Sequence, residues 1–178
     1  MEFGNGPYAQ SLEMTDEEFC AFYKETARPL WGYLVRISGV TSLADDLMQE
    51  AFLRLLESTL PSDASSAHRR NYLFRIATNL LNDHFRSRRF EELTDYASDE
   101  RMADKVERKI DVETALDGLR NQDKEMLWLA YVEGDSHEDI ADMLGYKSAS
   151  VVRSLLLRAR KQLVKLLGRA GQSRGGSE

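Results

Sequence analysis

The side chains of this sequence that could do chemistry are a few carboxylates and one histidine. Asp45, Asp46 and Glu50 fall within one predicted helix, and Asp83 is followed by His84 in the next. Carboxylate oxygens and an imidazole nitrogen can hold a divalent cation that activates water for attack on a phosphate ester. A metal-dependent nuclease or phosphatase is therefore one interpretation of these residues.

Other features of the sequence argue against catalysis. Asp46 and Glu50 share a helical face, and carboxylates at that spacing usually form a solvated or partner-binding surface. The sequence has no nucleophile constellation, glycine-rich phosphate loop or Cys/His cluster with zinc-ligand spacing, and its single cysteine, Cys20, cannot form an intramolecular disulfide. We therefore predict a protein that is not an enzyme and that needs no cofactor or metal.

Basic and amide side chains are concentrated in one predicted helix, about Arg69 to Arg89. Its apolar stripe runs from Leu73 to Phe85, and the other face can contact phosphates, base edges and unpaired bases. The alternative interpretation is that the aromatic side chains of this helix belong to the core and its arginines only make the surface soluble. The candidate nucleic-acid contacts on this helix are Arg69, Arg70, Arg75, Asn79, Asn82, Arg86, Arg88 and Arg89.

A second candidate DNA-binding unit lies near the C-terminus, where two short predicted helices flank a turn. Ala141, Gly145 and Val152 are expected to be buried where these helices meet, as in a helix-turn-helix. Any two packed helices could mimic this motif, but the second helix is basic. We expect base-edge contacts from Ser148, Ser150, Arg153 and Ser154, and phosphate contacts from Arg158, Arg160 and Lys161.

Composition and charge fit two small helical domains. The chain has 178 residues, of which 42% are hydrophobic, and no long alternating run that would predict strands. Its net charge of -6 conceals two basic segments, residues 68–89 and 153–178, that alternate with acidic ones. This alternation suits a protein with one surface for nucleic acid and another for a basic protein partner, although solvated helix faces would also explain it.

Capping residues and proline indicate where the predicted helices begin and end. Thr15 and Glu18 form a capping box at the start of the first helix, and Pro29 should kink or split that helix. Ser42 with Asp45 is expected to start the second helix. A loop follows at residues 59–67. We predict an all-α protein with domains at residues 13–89 and 111–168 and a weakly structured acidic linker at residues 90–110.

The N-terminal residues lack the basic and apolar segments of an export signal, and no apolar run approaches the roughly 20 residues that span a bilayer. A single cysteine suits a reducing compartment. We therefore expect a cytoplasmic protein.

Three strings resemble the bacterial sigma-70 family, in particular its extracytoplasmic-function members, which are the minimal two-domain form. Residues 44–55, ADDLMQEAFLRL, resemble the region 2 helix of that family. Residues 71–86, NYLFRIATNLLNDHFR, resemble the helix that recognises and helps to melt the minus-ten promoter element. The helix-turn-helix resembles region 4, which reads the minus-thirty-five element.

The resemblance implies a sigma factor that binds core RNA polymerase and directs promoter recognition, melting and transcription initiation, with an anti-sigma factor as a further candidate partner. It implies that Asp46, Gln49, Glu50 and Arg54 contact the clamp helices of the largest polymerase subunit. It adds Asn71 and Tyr72 to the minus-ten contacts, with Asn79 helping the loop at residues 60–67 to grip a flipped base.

Two leucines depart from the family pattern. Leu155 and Leu157 stand where basic or polar groups are common. Leu157 is then either an extra protein contact or part of a broader buried stripe. The alternative function is a two-domain helix-turn-helix repressor or activator that acts without core polymerase, and it would bind duplex promoter DNA alone.

Overall fold

A computed structural model describes residues 14–61, 63–94 and 115–172, and it describes side chains in α3 and α6 only as far as residues 88 and 167. This part of the chain is helical and contains no strand, which confirms the all-α prediction. The chain divides into two compact units, residues 1–83 with 142–144 and residues 84–141 with 145–178. The helices before the gap at residues 95–114 are α1 (Asp16–Ser38), α2 (Thr41–Leu56) and α3 (Ser66–Thr94). Those after it are α4 (Asn121–Trp128), a π-helical turn (Leu129–Glu133), α5 (His137–Leu144) and α6 (Ala149–Gln172).

The capping box predicted at the start of α1 is present. The Glu18 backbone N–H donates to Thr15 Oγ1 at 3.2 Å, and the Thr15 N–H donates to a Glu18 carboxylate oxygen at 2.9 Å. These hydrogen bonds to Thr15 lower the pKa of Glu18. The box therefore satisfies two amide donors at the exposed end of the helix.

Pro29 does not split α1, which runs as one helix from Asp16 to Ser38. Proline removes one amide donor, yet the apolar side chains on both sides of it, Phe22, Leu30 and Leu34, are all buried in the same core. Burial of this continuous stripe offsets the missing hydrogen bond and keeps the helix in one piece.

The predicted cap of α2 is wrong. The helix begins at Thr41 with Val40 as N-cap and has no side-chain cap hydrogen bond, so Ser42 lies inside the helix. Asp45 has another role, because its Oδ1 accepts a hydrogen bond from Trp31 Nε1 at 2.7 Å. This bond joins α1 to α2 in addition to their apolar packing.

The core of the first unit extends from α1 and α2 to α3. Tyr33 is fully buried, lies 5.6 Å from Phe74 between ring centroids, and shares a 2.9 Å hydrogen bond with Thr78. Helix α3 begins at Ser66 and continues to Thr94. The prediction that the chain loses regular structure from residue 90 is therefore wrong for residues 90–94, and the rest of the predicted linker lies outside the described residues.

The second unit packs α4 against α6 around a core that includes Met126, Leu129, Ile140 and Leu156. Gly145 links α5 to α6, but it is exposed rather than buried as predicted. Its φ is 71°, in the left-handed region, and an added Cβ would meet no atom within 4 Å. Glycine is favoured here by backbone conformation and not by close helix packing.

Replacing Gly145 with alanine should lower the free energy of unfolding of the second unit by about 1–2 kcal/mol, because a Cβ disfavours the left-handed conformation. Gly145→Asn is the matched control and should cost less, since asparagine tolerates this region. Hydrogen exchange of peptides from α5 and α6 in increasing urea measures both values. Equal losses for alanine and asparagine would contradict the conformational explanation.

Candidate protein and nucleic-acid interfaces

The outer face of α2 carries the four residues predicted to bind a protein partner. Asp46 and Gln49 are exposed, and Glu50 accepts a hydrogen bond from Arg54 Nε at 2.7 Å. The Glu50 and Arg54 side chains remain 44% and 53% exposed, so the pair is available to a partner. Leu53 is 56% exposed on the same face, although it is not among the partner contacts predicted from the sequence. The α2 outer face is therefore polar and largely acidic, with one apolar side chain.

The carboxylates considered as metal ligands do not come together. Asp45 is bound to Trp31, whereas Asp46 lies on the α2 outer face. In the described parts of the chain, no three His, Cys, Asp or Glu residues are grouped so that they could hold a metal ion.

Helix α3 presents an amide and guanidinium stripe to solvent. Arg75, Asn79 and Asn82 are exposed at successive intervals of four and three residues, which places them on one helical face. Thr78 and Leu81 are buried on the opposite face. The α3 stripe, defined by Arg75, Asn79 and Asn82, is thus brought together as the sequence predicts. Arg86 and Arg88 are exposed further along the helix.

The remaining predicted residues of α3 have other environments. Asn71 is buried, with 8% exposure, so the structure does not bring it to the solvent face. Arg69 and Tyr72 are half-buried. The Arg70 guanidinium carbon lies 4.6 Å from the centroid of the Phe74 ring, a cation–π geometry. The side chain of Arg89 lies outside the described part of the helix.

Helix α6 has a basic surface opposite its buried stripe. Val152, Leu156 and Ala159 face the core, and the opposite side of the helix is exposed. Ser154 donates its hydroxyl to the Ser150 carbonyl at 3.1 Å. Ser148, just before the helix, is also exposed. The α6 outer face consists of the exposed residues Ser150, Arg153, Ser154, Leu157, Arg160 and Lys161.

Arg158, which is predicted to contact phosphate, is exposed and also pairs with a buried carboxylate. Its Nη2 lies 3.3 Å from Asp123 Oδ1, and Arg120 Nε lies 3.0 Å from Asp123 Oδ2. Asp123 itself is only 3% exposed. The structure therefore gives Arg158 a structural contact that ties α6 to the start of α4.

Near this ion pair lies a buried carboxyl group that the sequence pattern does not reveal. Glu125 is 2% exposed, and within the described residues nothing hydrogen-bonds to its Oε1 atom. Burial raises the pKa of Glu125 to about 7. The pKa of Tyr146, in the turn before α6, is also raised, first by burial and then by the charges of Glu125 and Asp123. In sequence, Glu125 is one acidic residue in a polar run, and only tertiary packing buries it.

No helix in the described ranges is both long enough and apolar enough to cross a membrane.

Comparisons with known proteins find similarity to sigma factors over most of the chain. The family model for sigma-70 region 2 matches residues 22–91, and that for sigma-70 region 4 matches residues 109–163. A probable RNA polymerase sigma-C factor from Mycobacterium bovis is 31% identical over 151 residues, covering 81% of this chain and 80% of that protein. The extracytoplasmic-function sigma factor SigL from Mycobacterium tuberculosis is 29% identical over 158 residues, covering 83% and 89%.

Solved structures show the same fold. The sigma factor RpoE from Bartonella quintana, solved in complex with the anti-sigma factor NepR, aligns with a TM-score of 0.68 and 21% identity, covering 85% of this chain and 98% of that one.

Proposed function

The chain belongs to the extracytoplasmic-function sigma factors, which bind RNA polymerase and direct promoter recognition and transcription initiation, and we propose that three exposed helix faces share this work. Sigma factors are regulatory subunits without catalytic activity of their own. The family membership favours this function over that of a repressor that acts without polymerase.

The α2 outer face binds the clamp helices of the largest polymerase subunit. Charged and amide groups come from Asp46, Gln49, Glu50 and Arg54, and Leu53 supplies an apolar contact on the same face. A polar interface with one apolar side chain that becomes desolvated is a common arrangement in protein complexes. The acidic character of this face predicts a basic surface on the partner.

The α3 stripe contacts the melted minus-ten element. Exposed arginine and asparagine side chains on one face can hydrogen-bond to base edges and stack on unpaired bases, which offsets the cost of unstacking the duplex. Asn79 lies at the centre of this stripe, where it can help residues 60–67, which lead into the first turn of α3, to hold a flipped base. This clustering of amide and guanidinium groups on one helical face is the observation that carries the proposal.

The α6 outer face enters the major groove of the minus-thirty-five element. Arg153 is the principal base reader, because a guanidinium can donate two hydrogen bonds to guanine, and Ser148, Ser150 and Ser154 are short enough to approach neighbouring bases. Arg158, Arg160 and Lys161 contact phosphates. We assign residues 13–89 to the polymerase-binding and minus-ten domain and residues 111–168 to the minus-thirty-five domain. Residues 90–110 connect them, and the first five of these continue α3.

Two further proposals concern the setting of the protein. It acts in the bacterial cytoplasm, where RNA polymerase and promoter DNA meet. It is also a candidate for control by an anti-sigma factor, since RpoE was solved bound to one.

Replacing Asn79 and Asn82 together with alanine should reduce open-complex formation by about tenfold, because each hydrogen bond from an asparagine to a base edge contributes about 0.5–1.5 kcal/mol. Reconstituted holoenzyme is placed on a promoter selected by transcription from a genomic library, and permanganate detects the unpaired thymines. A fork-junction DNA probe with a single-stranded minus-ten element should lose affinity in parallel.

The matched control is Gln122→Ala, which removes an exposed amide from α4. The amount of assembled holoenzyme is measured first, so a defect in polymerase binding is not mistaken for a defect in melting. Open complexes at the wild-type level, or fork binding unchanged in the double variant, would refute the role of the α3 stripe.

A further inference from the structure

Leu157 is an exposed apolar side chain with basic and hydroxyl side chains on either side of it along α6. It is 53% exposed on the α6 outer face, whereas Leu156 beside it is buried. The interpretation of Leu157 as part of a broader buried stripe is therefore excluded. An exposed leucine at this position calls for a ligand that offers it an apolar surface.

The surroundings of Leu157 favour DNA over protein as that ligand. Arg153 lies one helical turn before it and Lys161 one turn after it, and α6 contains no acidic residue from Ala149 to Gln172. Ser154 is small enough to let the helix approach the bases closely. A protein partner that buried Leu157 would also have to desolvate these cations, whereas DNA phosphates neutralise them.

We infer that Leu157 is a specificity-determining residue that packs on the C5-methyl group of a thymine in the major groove, close to the base that Arg153 reads. Thymine is the only DNA base that presents a methyl group there, and apolar side chains recognise it by contact. Leu157 lies about 6 Å beyond Arg153 along the helix axis, so the two side chains reach neighbouring base pairs. The inference rests on the proposed role of α6 in reading duplex DNA.

Val164 provides a matched control on the same helical face. It is 68% exposed but lies about 10 Å further along the axis, away from the N-terminal part of the helix that approaches bases. The two side chains share exposure and apolar character and differ in their position along the groove.

The test uses full-length protein in holoenzyme and promoters selected from a library with a randomised minus-thirty-five segment. Each thymine of that segment is replaced in turn by deoxyuridine, which removes only the methyl group. At one position, wild-type holoenzyme should bind about fourfold more weakly, the effect expected for removing one buried methyl group. Leu157→Ala should bind the thymine promoter more weakly by the same factor and show no further weakening on deoxyuridine, and Val164→Ala should behave as wild type.

Other outcomes overturn the inference in separate ways. If deoxyuridine weakens wild type and Leu157→Ala equally, or weakens neither, Leu157 does not read a methyl group. If Leu157→Ala weakens binding equally on promoters with a scrambled minus-thirty-five segment, Leu157 contacts protein. If Arg153→Ala also leaves discrimination among minus-thirty-five sequences unchanged, the proposed role of α6 fails as well.

Discussion

A double variant in which Asp46 and Glu50 are replaced with lysine is expected to bind core RNA polymerase at least about 100-fold more weakly than wild type. The α2 outer face is acidic, and reversing its charge would place like charges against the basic partner surface that we propose, at a cost of several kcal/mol. Glu50→Lys also breaks the ion pair with Arg54, whose Nε lies 2.7 Å from Glu50 Oε1. That local loss is at most a few tenths of a kcal/mol, because the pair is exposed.

The control for this experiment carries the same change of net charge elsewhere on the same unit. Glu17 and Glu25 are exposed on α1, and their double replacement with lysine should leave polymerase affinity within about threefold of wild type. Fluorescence anisotropy with labelled protein and core polymerase measures both variants, and circular dichroism verifies their folding. An Asp46/Glu50 double variant with the affinity of the control would contradict the assignment of the α2 outer face.

The faces of α2, α3 and α6 could be predicted from sequence because each helix is amphipathic. Where apolar residues recur at helical spacing, as at Leu73, Ala77 and Leu81, the buried face is determined by local pattern, and the exposed face is its complement. The solvent exposure of Asn79 and Arg153 follows from the same periodicity. The proposed ligands of those faces come from motif resemblance, because periodicity alone does not indicate what a face binds.

The details that sequence reasoning missed depend on contacts between helices. Asp45 was assigned to a helix cap because it lies three residues after Ser42. Its carboxylate instead accepts a hydrogen bond from Trp31, fourteen residues away. Arg158 is predicted to contact phosphate because it is basic, and the sequence pattern gives no sign of its hydrogen bond to Asp123, thirty-five residues away. A pattern confined to one helix cannot report such partners.

Buried carboxyl groups are the hardest case, because Glu125 lies in a polar run and has no sequence signal of burial. Its environment nevertheless has a measurable consequence. Tyr146, in the turn before α6, feels the charges of both Glu125 and Asp123, and Asp123 is paired with Arg120 and Arg158. The ion pairs of Asp123 are largely satisfied among themselves, which leaves the desolvation of Glu125 uncompensated.

The stability of the second unit should therefore decrease as the pH rises from 4.5 to about 7. The pKa of Glu125 is raised from 4.5 to about 7 in the folded chain. Below this window, both folded and unfolded chains hold the proton. Between pH 4.5 and 7 the unfolded chain releases the proton first, which stabilises the unfolded state. Above pH 7 the free energy of unfolding is lower by the full amount, about 3 kcal/mol.

Replacing Glu125 with methionine should remove this dependence, because methionine fills a similar volume without ionising. Relative to wild type, the variant should gain up to about 3 kcal/mol in free energy of unfolding at pH 8 and much less at pH 5. Glu125→Gln should also remove the pH dependence. Its free energy of unfolding should be lower than that of Glu125→Met at every pH, since its buried amide needs hydrogen-bond partners. Urea unfolding followed by Trp128 fluorescence in a Trp31→Phe background reports on the second unit. Glu138→Gln, at an exposed site on α5, should differ from wild type by an amount that does not vary with pH. If the Glu125 variants show the same flat difference, the carboxyl group is solvated or paired in solution, and burial does not control its titration.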